Sequence, residues 1–142
     1  MIDPFPLHMR HVRCLDDDRG VKAFVLDRFR VAQLATAIPP RPAPSGDDSV
    51  VVALNVGNFA GFATYCPSTG KQLWLDVLWV EPDYRRRGIA MQLLHEVELT
   101  ARRRHFRGVA LGHETGNAAM IALMERTGWP VDHIVRRKEL RP

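Results

Sequence analysis

Val80-Glu81-Pro82-Asp83-Tyr84-Arg85-Arg86-Arg87-Gly88-Ile89-Ala90 is the stretch whose reading decides the fold. The longest strand candidate in the chain, Lys71 to Val80 (KQLWLDVLWV), runs into it. Beyond it Ile89, Leu93, Val97 and Ala101 recur four apart, with Ala90 and Leu94 beside them, as one face of a helix requires. Between the two, Pro82 forces a turn and the helix opens near Gly88. The first N–H groups of such a helix have no partner and lie at the positive end of its dipole. Gly88 leaves the backbone open to a phosphate, and Arg85, Arg86 and Arg87 add positive charge at the rim. Three arginines at a positive helix end repel one another unless an anion offsets them. The stretch therefore reads as a pyrophosphate cradle, although it is neither a GxGxxG nor a GxxxxGK[ST] loop.

The rest of the chain is placed outward from this unit. Leu7 to Leu15 alternates as a first strand, and Asp16-Asp17-Asp18 offers an N-cap to a helix over Gly20–Ile38. Pro39 to Ser49 (PPRPAPSGDDS) has the composition of an exposed loop. Ser49–Asn55 and Phe59–Tyr65 are strands joined by the hairpin signal Val56-Gly57-Asn58. The helix after the cradle extends over Gly88–Phe106. A short strand, Val109–Leu111, follows it, then a helix over Asn117–Arg126 ended by Gly128, then a last strand within Trp129–Leu140. The order β, α, β, β, β, α, β, α, β indicates one α/β domain over residues 1–142, built on a sheet of mixed direction.

Composition narrows the function classes. The 142 residues are 46% hydrophobic and 25% charged, which excludes general disorder and a disulfide scaffold. The net charge of +4 is concentrated in Arg85–Arg87 and Arg102–Arg107, which favours a local anion site over a nucleic-acid surface. Cys14 and Cys66 have no metal-binding spacing, and His8 and His11 face opposite sides of a strand, so no metal is expected. No apolar run approaches a membrane span, and Met1 to Pro6 lacks the features of a signal peptide. The expectation is a soluble cytoplasmic protein with free thiols.

Val80-x-Pro82-x-Tyr84-Arg85-x-x-Gly88-Ile89-Ala90 resembles the acetyl-CoA-binding motif of the Gcn5-related N-acetyltransferase (GNAT) family, whose core is Arg/Gln-x-x-Gly-x-Gly/Ala. Downstream, Asn117, Leu123, Glu125, Arg126, Gly128 and Trp129 are similar to that family's Asn-x-x-Ala-x-x-Leu-Tyr-Glu-Lys-x-Gly-Phe pattern, in register. The resemblance implies a mixed, mostly antiparallel sheet with flanking helices, splayed open at the strand ending near Val80, with acetyl-CoA in the gap. The cofactor-binding residues it implies are Leu78, Trp79 and Val80 on the strand, Arg85, Arg86, Arg87, Gly88, Ile89 and Ala90 around the pyrophosphate, and Asn117 and Met124 on the later helix. Two positions depart from the pattern. Met120 replaces its Ala, and Met124 replaces its Tyr, which in the family often protonates the leaving thiolate. A thioether cannot donate a proton.

A base is needed to take a proton from the acceptor amine. Asp76 is the first choice, because strand alternation puts it on one face with Leu78 and Val80, and it matches the acidic position of the family's Leu-Glu-x-Leu-x-Val form. Glu81 is the second and His113-Glu114 the third. Trp74 and Trp79 face opposite sides of the strand, so one of them could line the acceptor pocket, with core packing as the alternative for both. The activity implied is transfer of an acetyl group from acetyl-CoA to a primary amine, on a small molecule, peptide or protein, by direct attack in a ternary complex. The alternative is an acyl-CoA-binding module of little activity. The partners expected are acetyl-CoA and an amine acceptor, without membrane or nucleic acid, and a homodimer is possible through exposed strand edges.

Overall fold

The computed structural model describes residues 7–35, 41–113 and 117–132, together with residues 134, 136, 138 and 140. The chain divides into two compact units, Met1–Gly112 and His113–Pro142. The first contains β1 (Leu7–Val12), α1 (Arg19–Ala35), β2 (Ser49–Asn55), β3 (Asn58–Pro67), β4 (Gln72–Val80), α2 (Ile89–Arg103) and β5 (Gly108–Leu111). The sheet order is β1-β2-β3-β4-β5, antiparallel throughout except for the parallel β4–β5 pair. This is the mixed, mostly antiparallel α/β sheet expected. Among the described residues, no helix is long and apolar enough to cross a membrane.

Both faces of the sheet are covered, and each helix has a local reason for where it begins. Asp18 caps α1 by accepting a 3.0 Å hydrogen bond from the Val21 amide at Oδ1. The helix then presents Val21, Phe24, Val25 and Phe29 to Val50, Val52 and Phe62 of β2 and β3. Phe24 stacks on Phe59 at 4.5 Å between centroids and meets Phe62 edge-on at 5.7 Å. On the other face, α2 buries Ile89, Leu93, Leu94, Val97 and Ala101, the stripe read from the sequence. Residues 36–40, where α1 was expected to end, lie outside the described residues.

Two features of β4 shape the site. It pairs with β5 only over Gln72–Leu75, so from Asp76 onward its outer edge has no strand partner among the described residues. β5 pairs over its full length and ends at Leu111, so the last five residues of β4 extend beyond it. The register with β3 also steps, since Thr64 lies opposite Val77 but Tyr65 opposite Leu75, leaving Asp76 as a bulged extra residue. The Thr64 hydroxyl accepts a 3.0 Å hydrogen bond from the Val77 amide at that step.

The second unit contains α3 (Ala118–Thr127). Asn117 caps it, its side chain accepting from the Met120 amide at 3.1 Å, and left-handed Gly128 (φ 76°) ends it. Of the strand expected within Trp129–Leu140, the described residues form none, and residues 133, 135, 137 and 139 lie outside them. Val131, Ile134 and Leu140 are each more than 70% exposed.

Candidate active site

The open half of β4 has a defined backbone polarity. The Glu81 amide donates to the Ala60 carbonyl at 2.8 Å, which makes Ala60–Glu81 a hydrogen-bonded antiparallel pair. Bonded and non-bonded pairs alternate along such a ladder, so Phe62–Trp79 is the next bonded pair, and Leu78 and Val80 lie between. The N–H and C=O groups of Leu78 and Val80 therefore point away from β3, on the side that β5 covers only as far as Leu75. A secondary-amide chain laid along this edge would meet the same donors and acceptors as an added strand.

From Val80 the chain passes through a single 3₁₀ turn, Pro82–Tyr84, into α2. Arg86 and Gly88 both adopt left-handed backbone, at φ 63° and 78°. A Cβ on Gly88 would find no atom within 4 Å, so the space over the turn is open to a ligand. The first i→i−4 bond of α2 runs from the Gln92 amide to the Gly88 carbonyl at 3.1 Å. The amides of Ile89, Ala90 and Met91 precede it and point out of the helix end. Ile89 contributes its backbone only, since its side chain is buried in the core. These groups fit a pyrophosphate, with left-handed backbone, open space and free donors together. Arg85 is seated against β4. Its guanidinium sits over the Trp79 ring, 4.9 Å from the centroid, and its Nε donates to the Val80 carbonyl at 2.9 Å.

The two carboxylates named from the sequence have opposite environments. Asp76 does not share a face with Leu78 and Val80. The bulge puts Val77 in the α1 core while Leu75 lies opposite Tyr65, whose hydroxyl bonds Thr100 of α2. Asp76 stays on the α1 face, where Arg41 reaches its Oδ1 at 3.3 Å and its carbonyl at 3.1 Å while lying over the Phe29 ring. Leu78 and Val80 alternate with Val77 and Trp79, which pack toward α1, and so face α2. Burial pushes the Asp76 carboxyl above the usual range, Arg41 pulls it back and Asp48 raises it again. Glu81 is instead gripped by Arg28 of α1 through hydrogen bonds of 2.7–2.9 Å, and accepts a further one from Trp79 Nε1 at 2.9 Å. These bonds, Arg28 foremost, hold its carboxyl below the usual range despite some burial.

A family model described as the acetyltransferase (GNAT) family matches residues 23–129. The chain belongs to that family. Solved structures share the GNAT fold at low identity. One is an aminoglycoside acetyltransferase, meta-AAC0020, from an uncultured soil metagenomic sample in complex with trehalose. It is 17% identical, all of each chain is covered, and the TM-score is 0.71. A second is a ribosomal-protein-alanine N-acetyltransferase from Brucella melitensis biovar Abortus 2308, 17% identical over 94% of this chain and 99% of that one, with a TM-score of 0.69. A third is aminoglycoside N-acetyltransferase AAC(6')-Iy in complex with CoA, 18% identical over 97% of each chain, with a TM-score of 0.66. No curated protein matches the sequence. As a GNAT member the protein is an acetyltransferase.

The structure brings Leu78, Trp79, Val80, Arg85, Arg86, Arg87, Gly88, Ile89 and Ala90 together in one strand–turn–helix, as read from the sequence. Asn117 and Met124 belong to the second unit, where Asn117 is the helix cap and Met124 a buried residue of α3. Glu114 lies outside the described residues. Sequence reasoning missed Arg28 and Arg41. Arg41 is the one arginine in the Pro-rich loop 39–49, and that flanking was the available signal. Arg28 carried none, because a charged residue on a helix reads as solvated until its partner 53 residues away is known.

Proposed function

We propose that this GNAT protein transfers an acetyl group from acetyl-CoA to a primary amine, by direct attack of the amine in a ternary complex, as a single domain over residues 1–142. The observation that carries this reading is the edge of β4 at Leu78 and Val80, which no described strand covers and which leads through one 3₁₀ turn to the open N-terminus of α2. The edge suits the amide-bearing pantetheine arm, and the helix end suits the pyrophosphate. Acetyl-CoA supplies an activated acyl group as its thioester. A C–N bond forms as the C–S bond breaks, the thiolate leaves with CoA, and the amine nitrogen loses a proton.

Asp76 is the proposed base for that proton. Its pKa is raised, it is the first residue of β4 beyond the pairing with β5, and its partner Arg41 is 43% exposed on a loop and can yield to a substrate. Glu81, with its oxygens committed to Arg28 and Trp79 and its pKa lowered, is not assigned the role.

The test is calorimetric titration of the full chain with acetyl-CoA, then thiol release against a panel of amines. The panel includes aminoglycosides and peptides with N-terminal alanine, after the substrates in the names of the structural relatives. Binding together with amine-dependent release supports the reading. Absence of binding overturns it, and binding with no release across the panel points to an acyl-CoA-binding module.

A further inference from the structure

We infer that Glu81 is a positioning residue, which through Trp79 fixes Arg85 for the anion at the α2 N-terminus. The inference rests on acetyl-CoA being the ligand of that edge. Glu81 follows the last residue of β4, and its side chain is only 16% exposed. It accepts from Arg28 Nε at both oxygens, from Arg28 Nη2 at Oε1, and from Trp79 Nε1 at Oε2. Arg28 is itself seated over the Phe24 ring, 5.1 Å from the centroid, and also bonds Asp27. The carboxylate is thus held by α1 and in turn holds the indole by its N–H.

The indole face carries the next link. Arg85 lies over Trp79 and gives its Nε to the Val80 carbonyl. With its face and Nε committed, the two Nη groups are the donors it can offer to a phosphate. A long exposed arginine normally loses much rotamer freedom on binding an anion, and one already seated on an aromatic face loses less. An indole free to turn about its χ angles would not supply that seat. The Arg28–Glu81 pair alone would explain only the attachment of α1 to β4. The Trp79 and Arg85 contacts extend it to the ligand.

The experiment measures the acetyl-CoA Kd and its salt dependence for Glu81→Gln, Trp79→Phe and Arg85→Met, and for each of the first two combined with Arg85→Met. Trp79→Phe keeps a ring and removes the N–H, so it holds the question open where Glu81→Gln loses stability. Both single variants should raise Kd about three- to tenfold and lower the salt slope, as expected for one weakened cation–anion contact. In the Arg85→Met background both effects should disappear, because the pathway runs through that guanidinium. Equal losses with and without Arg85, or a fall in Tm with Kd unchanged, would overturn the inference and leave Glu81 a purely structural ion pair. Failure of the unsubstituted protein to bind acetyl-CoA would instead remove the reading on which the inference rests, and is seen before any variant is made.

Discussion

Arg41 Nη1 lies 3.3 Å from Asp76 Oδ1 and its Nη2 3.1 Å from the Asp76 carbonyl oxygen, with the guanidinium 5.4 Å from the Phe29 ring centroid. A cation from the loop between α1 and β2 therefore adjoins the carboxylate proposed as the base. Burial raises the Asp76 pKa, and Arg41 is the group that restrains the rise.

Arg41→Ala should release that restraint. The Asp76 pKa then rises further, and the acid limb of the kcat/KM profile moves to higher pH while the plateau above it stays near its former level. Arg41→Lys keeps a charge and should recover most of the shift. A profile identical in all three proteins would disconnect Arg41 from the titrating group.

Asp76→Asn keeps the side-chain shape and removes the base. Acetyl-CoA affinity should survive, and kcat/KM should fall on the order of 10²-fold near neutral pH. The loss should shrink as pH rises and free amine accumulates. A constant loss at every pH would indicate positioning, and no loss would pass the proton to another acceptor such as water.

The face on which Asp76 stands illustrates what the sequence could not convey. Leu73, Leu75 and Val77 are all buried, so the hydrophobic alternation of β4 runs unbroken across the bulge. It does so because α1 covers one face of the sheet and α2 the other, and a change of face leaves no gap in the pattern. The step itself involves the hydroxyl of Thr64, on the neighbouring strand and 13 residues away. The cradle was legible for the opposite reason. Its strand, turn, glycine and helix are consecutive, and its chemistry is backbone chemistry that follows from the local fold. Contacts from Arg28 and Arg41 span 53 and 35 residues, which local periodicity does not encode.

The same two carboxylates should give opposite pH dependences of stability. Glu81 has a folded pKa below its ordinary 4.5, so the native state binds fewer protons than the unfolded one. Its ionised form adds stability that is fully present above that value and is lost as pH falls through the folded pKa. Asp76 has a folded pKa above its ordinary 3.8, so its ionisation costs stability, and the cost disappears on acidification. At pH 7 Glu81→Gln should therefore destabilise, by about 1 kcal/mol once the solvent exposure of Arg28 is allowed for. Asp76→Asn should stabilise by a smaller amount. Denaturant unfolding at pH 7 and in acid should show both differences shrinking together, and the same sign for both substitutions would contradict the assigned environments.

Gly88 separates backbone strain from ligand exclusion. Any L side chain at φ 78° costs about 1–2 kcal/mol, so Gly88→Ala and Gly88→Glu should lose similar amounts of stability. Neither meets a neighbouring atom within 4 Å at Cβ, so crowding inside the protein adds nothing at that atom. The ligand distinguishes them. A methyl over the turn takes part of the space open to the pyrophosphate, whereas a carboxylate takes more and repels the phosphate charge. Acetyl-CoA affinity should fall modestly for Gly88→Ala and at least about tenfold further for Gly88→Glu, with the additional loss reduced by salt. Calorimetry at two ionic strengths reads both effects. Equal affinities for the two variants, or a difference indifferent to salt, would mean that the anion does not sit over this turn.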